Sequence, residues 1–296
     1  MSQSQIACTI DTKECAIVRL KTSGIDTYSL SGCKLFPFGL DDIAGDKGNR
    51  LLKRLSDYLK KWSQEEIALC MEPANFQPLL AYLPEGASFE AAQKYCRIEA
   101  GYFLNRPEEY CFDVSSYADE ACGNVPYVKH LLLFYPAEPC RIAVNHFSVN
   151  YRIVFMGAAL LPLLYLSKFT NTEQVILKLE QQYMLFAVSK NGRIEKFSYR
   201  QIKNRKEAEY FSISEIVANP VYREMDFQIT GKWADRAMTT VIGKETSITL
   251  RPLVIPSLIS ISNPKKFPIS SSAAVKAISV ALMAFEHKKY STTVSH

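Results

Sequence analysis

The chain has 296 residues, with 35 Lys and Arg against 30 Asp and Glu, a formal net charge of +5. At roughly 150 residues per domain this length accommodates about two domains. An apolar share of 48% beside 22% charged residues excludes a largely disordered chain, a collagen and a coiled coil.

The first residues read as a three-stranded meander, Ile6–Ile10, Ala16–Leu20 and Ile25–Leu30, with turn chemistry at Thr22-Ser23-Gly24. Apolar residues at i, i+3/i+4 and i+7 predict a helix from about Asp41 to Trp62, with Asp41 or Asp42 as N-cap. A buried strand, Ile67–Glu72, closes at Pro73, and a further strand covers Phe76–Tyr82. Ser88 caps a helix over Phe89–Phe103, followed by strands at Tyr110–Tyr117, His130–Tyr135 and Arg152–Phe155 and a helix over Gly157–Lys168. After a seam at Thr170-Asn171-Thr172, strands return at Val175–Leu179, Tyr183–Val188 and Arg193–Tyr199, the last two joined by the tight-hairpin pair Asn191-Gly192. A helix over Lys206–Ala218, a strand over Asp226–Thr230, a helix over Trp233–Val241 and a strand over Ser247–Leu253 follow. A Pro-broken loop through Pro256, Pro264 and Pro268 leads to Ser270–Ser272, which caps an apolar helix, Ala273–Phe285.

No run reaches the roughly 20 apolar residues of a bilayer-spanning helix, and the longest, Ile153–Leu166, carries Pro162. Met1-Ser2-Gln3-Ser4-Gln5 has neither a basic nor an apolar leader region, so a cytoplasmic location is expected, with the inner face of the membrane as an alternative. The eight cysteines form no Cys-x-x-Cys pair and the four histidines have no ligand spacing, so no metal site is expected and the cysteines read as reduced core side chains. The basic run from Lys47 to Lys61 forms the solvated face of the first helix, and nucleic-acid binding is not expected. The Gly-x-Ser-x-Gly elbow, the Walker A loop, Gly-x-Gly-x-x-Gly and His-Glu-x-x-His are all absent.

The most informative feature is an internal repeat. Placing Ile10-Asp11-Thr12-Lys13 on Leu179-Glu180-Gln181-Gln182 also places Ile25-Asp26 on Ile194-Glu195. Both halves therefore open with a strand ending in a carboxylate, a tight turn and two more strands. The expected fold is α/β: two duplicated halves, residues 1–169 and 170–296, with an inserted subdomain at about 75–118 and the helix at 273–285 packing back on the first half.

This organisation resembles the actin-like (ASKHA, ribonuclease H-like) superfamily, and within it the PilM type of pilus-assembly protein. The residues that carry the resemblance are Leu83-Pro84-Glu85 with Ala91–Ala100, the Asn105–Glu109 turn before the strand with Asp113, His130–Tyr135, and Ile194–Tyr199 leading to Arg200. The superfamily's ATPases begin each half with Asp-x-Gly, whose glycine lets backbone N–H groups close on phosphates while the carboxylates organise Mg²⁺. Here the triplets are Asp11-Thr12-Lys13 and Glu180-Gln181-Gln182. The carboxylates stay and both glycines are gone. If those turns need φ > 0, a side chain at Lys13 or Gln182 costs about 1 kcal/mol each.

The resemblance thus implies a non-catalytic scaffold with a degenerate nucleotide site. Bound ATP and Mg²⁺ are not expected; if nucleotide binds, Asp11, Lys13, Glu180 and Gly231 are the contacts. Gly231 is alternatively a plain turn residue, and Trp233 is core rather than a base-stacking platform. By the same resemblance, the partner is a short cytoplasmic peptide or tail of a membrane-assembly protein, and self-association stays open. Its groove would be lined by Tyr82, Tyr95, Ile98, Tyr102 and Phe103, which otherwise form the small core of the inserted subdomain. The competing reading is a working ATPase or small-molecule kinase of the same superfamily, with Asp11 and Glu180 around the reacting groups.

Overall fold

The structure, a computed structural model, describes residues 3–24, 26–117, 127–170, 173–261, 267 and 271–293. Ile25, Cys122, the loop through Gly123 and Pro126, Asn171-Thr172, Pro264, Pro268, Ser270 and His296 lie outside the described residues.

Strands β1 (Ser4–Asp11), β2 (Cys15–Gly24) and β3 (Thr27–Phe36) form an antiparallel meander. The sequence predicts one long helix next; two short ones form, α1 (Leu40–Ile43) and α2 (Gly48–Leu59), with Gly45 between them. The N-cap is Gly39, not Asp41 or Asp42; the Asp42 carboxylate instead accepts the Gly39 N–H at 3.0 Å. The basic side chains of α2 face solvent, while Leu52, Leu55 and Leu59 are buried.

β4 (Ile67–Glu72) is buried along its whole length and pairs in parallel with β1. A continuous apolar run is what a strand covered on both faces requires. A second parallel partner, β8 (Ile153–Ala158), extends the sheet on the far side of β4.

Between β4 and β8 the chain builds a separate antiparallel sheet, in the order β5 (Gln77–Pro84), β7 (Tyr127–Pro136), β6 (Tyr110–Ser116). Its central strand, β7, lies beyond the 75–118 span read from the sequence as the insertion. The helix α3 (Phe89–Phe103) covers one face, and its N-cap, Ser88 Oγ, accepts the Ala91 N–H at 3.2 Å. The core of this unit is small: Ala81, Cys96, Ala100, Leu132 and Phe134. The opposite face, through Leu131, Leu133 and Tyr135, joins the main core. Asp113 on β6 ties the unit to the end of β8 by accepting the Ala158 N–H at 2.5 Å and the Tyr135 hydroxyl at 3.2 Å.

A helix absent from the sequence reading, α4 (Ala137–Ser148), follows β7 directly. Its buried face consists of Ala137, Cys140, Ala143 and Phe147, mostly small residues that leave a weak periodic signal. Pro139 falls in its first turn, where the missing N–H breaks no helical bond.

The second half repeats the first sheet. α5 (Leu160–Tyr165) leads to β9 (Gln174–Leu179), β10 (Tyr183–Lys190) and β11 (Arg193–Gln201), again an antiparallel meander. The Asn191-Gly192 hairpin has φ of 51° and 78°, the left-handed pair that the dipeptide predicts. α6 (Arg205–Ala218) crosses to β12 (Asp226–Thr230), which pairs in parallel with β9, and α7 (Arg236–Thr246) crosses to β13 (Leu250–Pro252). The sheet order β11-β10-β9-β12-β13 reproduces β3-β2-β1-β4-β8 strand for strand. A two-residue strand, β14 (Ile259–Ser260), then returns to the edge of β3.

The chain's last helix, α8 (Ser272–Thr293), is longer than predicted and lies across β1, β2 and β4 and against α5. From Ala273 to Leu282 every residue is buried, the pattern of a core helix rather than a surface one. No helix among the described residues is long and apolar enough to cross a membrane. Because α8 completes the core of the first sheet, Ile278→Ala, at a fully buried site, is expected to cost about 2–5 kcal/mol. Urea denaturation checks this: the midpoint falls with its slope unchanged.

Candidate functional site

Parallel pairing brings Asp11, the last residue of β1, level with Glu72, the last residue of β4. Neighbouring side chains at one register position of a sheet share a face and lie about 5 Å apart, where two like charges destabilise each other. The third carboxylate, Glu180, follows the last residue of β9, at the matching point of the second half. All three therefore meet where the strand ends of the two sheets face each other, the place where open α/β sheets leave a crevice. That crevice is a cavity of about 770 Å³ whose walls include Asp11, Lys13, Glu72, Glu180, Gly231 and Lys276.

Two lysines absent from the sequence reading complete the floor. Lys276, from the second turn of α8, reaches Asp11 Oδ2 at 2.6 Å and Glu72 Oε2 at 2.5 Å. Lys178, from β9, pairs with Glu72 Oε1 and with Glu180 Oε1, the latter at 2.9 Å. The Tyr183 hydroxyl donates to Glu72 Oε1 at 2.7 Å. The Lys178 and Lys276 side chains are only 0% and 2% exposed, so their charge requires these partners. Both carry a sequence signal: each is a lone charge within an apolar run, Val175–Leu179 and Ala273–Phe285.

The environment separates the two register partners. Burial works against ionisation of Glu72, but Lys178 and Lys276 outweigh it and hold the carboxyl well below its usual range. Burial raises Asp11 to about 8, with Glu72 adding to the rise and Lys276 opposing it. The two register partners are thus pushed in opposite directions, and Asp11 Oδ1 meets no donor. Burial alone lowers the Lys276 ammonium, but Asp11 and Glu72 drive it well above the ordinary range.

The two turns avoid the cost attached to the missing glycines. Neither Lys13 nor Gln182 has positive φ; the Asp11–Glu14 turn closes by the Asp11 N–H on Glu14 O at 2.8 Å, and Glu180 N–H on Tyr183 O at 2.9 Å closes its counterpart. Glycine is required instead in the loops that press on these turns. A Cβ on Gly39 would lie 2.2 Å from Asp11 O, and one on Gly231, at φ +105°, 2.3 Å from Leu179 O. Gly231 is therefore a close-approach residue at the cleft, beside Lys232, whose N–H donates to Glu180 Oε2 at 3.2 Å. Lys13 sits at the rim with its ammonium on Asp41 Oδ2 at 2.8 Å. Trp233 packs, partly buried, against the core of the second half.

The fold has counterparts among solved structures. One, the PilM–PilN type IV pilus biogenesis complex, matches with a TM-score of 0.70 at 11% identity, over 95% of this chain and 98% of that one. The fold is actin-like. A second match, a Bacteroides thetaiotaomicron protein with an actin-like ATPase fold and unknown function, has a TM-score of 0.52 at 10% identity, over 94% and 95% of the two chains. No protein-family model and no curated protein matches the sequence.

The five residues assigned to a groove in the inserted unit of this actin-like chain are all exposed: Tyr82 50%, Tyr95 42%, Ile98 55%, Tyr102 78% and Phe103 64%. None belongs to the unit's own core, which corrects the alternative given for them. They do not share one surface. Tyr95, Ile98 and Tyr102 line the outer face of α3, with Phe103 at its end. Tyr82 alternates with Ala81, which packs under α3, and so projects from the other side of the sheet.

The titration of Asp11 has a measurable sign. A carboxyl raised from 3.8 to about 8 on folding contributes stability fully present below pH 3.8 and lost as pH rises through about 8. Asp11→Asn removes that loss. Between pH 5 and pH 8 the wild type is expected to lose more unfolding free energy than the variant, measured by urea denaturation at the two pH values.

Proposed function

We propose that this chain is an actin-like scaffold of pilus or secretion assembly that works at the inner face of the membrane. In this reading it captures a short cytoplasmic segment of a membrane-assembly partner. The observation that carries it is the outer face of α3. Tyr95, Ile98 and Tyr102 stand at i, i+3 and i+7 on a helix whose opposite face is already used, with Cys96 and Ala100 in the core. A contiguous exposed apolar stripe on a folded unit marks a surface that another molecule covers. The match to a PilM–PilN complex supports the same class of partner. Tyr82, on the other side of the sheet, is outside the proposed surface.

The test uses peptides of about 15 residues tiling the cytoplasmic segments of bitopic membrane proteins encoded beside this chain. Fluorescence anisotropy is expected to find one that binds, with Tyr102→Ala and Phe103→Ala each weakening it about tenfold, as for truncated interface anchors. Unchanged affinity in both variants excludes the surface.

One observation favours the ATPase reading: Asp11 and Glu180 both line a cavity large enough for a nucleotide. The scaffold reading expects no ATP hydrolysis. Phosphate release measured with ATP and Mg²⁺ distinguishes the two, since turnover abolished by Asp11→Asn would establish the enzyme.

A further inference from the structure

In this fold the carboxylates at the two turns are the groups that would organise Mg²⁺ around a nucleotide. Magnesium needs near-octahedral oxygen ligands at about 2.0–2.1 Å, so a protein site must leave carboxylate lone pairs free and pointing at a common centre. The cleft does not meet that requirement. Both Glu72 oxygens are taken, Oε1 by Lys178 and Tyr183 and Oε2 by Lys276. Asp11 Oδ2 is held by Lys276. Glu180 is engaged on both oxygens, by Lys178 and by the Lys232 N–H. Only Asp11 Oδ1 meets no donor.

We infer that Lys178 and Lys276 are built-in replacements for the divalent cation, so that this cleft is complete without a metal. Each ammonium does what a bridging ion does. Lys276 joins Asp11 to Glu72, and Lys178 joins Glu72 to Glu180, so the three carboxyl groups are linked in one chain. Together the two side chains bring two positive charges, the same as one Mg²⁺. An entering dication would meet these two like charges at carboxylate oxygens they already occupy. Neither lysine can swing aside cheaply: Lys178 projects from a strand paired on both sides and Lys276 from a buried helix. The replacement also reaches across the molecule, because Glu72 belongs to the first sheet while Lys178 and Tyr183 belong to the second.

The inference concerns the cleft and not the α3 surface, so either can fail without the other. Mn²⁺ alone, titrated against the protein and followed by the electron paramagnetic resonance of free ion, is the direct probe. The wild type is expected to bind none at millimolar metal. The Lys178→Gln, Lys276→Gln double variant, which keeps all three carboxyl groups, is expected to bind one ion at least about tenfold more tightly. Sub-millimolar binding by the wild type that Asp11→Asn abolishes overturns the inference, and so does a folded double variant that binds no metal. Where the double variant does not fold, melting of the wild type in EDTA and in about 10 mM MgCl₂ decides: equal midpoints are expected, and a rise of several degrees with Mg²⁺ overturns it.

Discussion

Glu72 is a carboxylate at the end of a strand that is buried on both faces, and an ionised group in that position is tolerable only with strong donors around it. The donors come from two separated parts of the chain: Lys178 and Tyr183 from the second sheet, and Lys276 from α8. None of these parts can shift without leaving a buried charge unpaired. Glu72 therefore fixes how the two halves meet and where the last helix lies. The upward shift of Asp11 arises at the same place: burial raises its carboxyl and the charge of Glu72 adds to the rise, while Lys276 opposes it.

The duplicated architecture was legible because its signals are local. β4 and β12 were found to the residue from short apolar runs, α3 from its periodicity and Ser88 cap, and the β10–β11 hairpin from Asn191-Gly192. The misses have physical causes. The break between α1 and α2 depends on how Gly48 packs against the Ile43 carbonyl, which no pattern of apolar residues records. α4 buries small side chains, and β14 is two residues paired with a strand far away in sequence. The site was half legible: the repeat located Asp11 and Glu180, because turns at matching positions can be aligned. Glu72 and the two lysines could not be placed, since their partnership exists only after two sheets and a distant helix converge.

α3 shows how a helix acquires two apolar faces without becoming a core element. Cys96 and Ala100 are small, so the helix sits close on a thin sheet and buries little of itself. The large side chains, Tyr95, Ile98 and Tyr102, are thereby left on the outside. The amphipathic rings of Tyr95 and Tyr102 tolerate water better than Leu or Val would, which lets the unit carry an uncovered stripe in a stable chain.

The placement of α8 has a consequence for synthesis of the protein. The strands β1, β2 and β4 leave the ribosome early, but the helix that covers them and the lysine that neutralises Asp11 and Glu72 are among the last described residues to appear. At about 5–20 residues per second, the apolar face of the first sheet waits on the order of ten seconds or more for its cover. A nascent first half is thus an unfinished object, open to chaperones, and the two halves are committed to folding together rather than in succession.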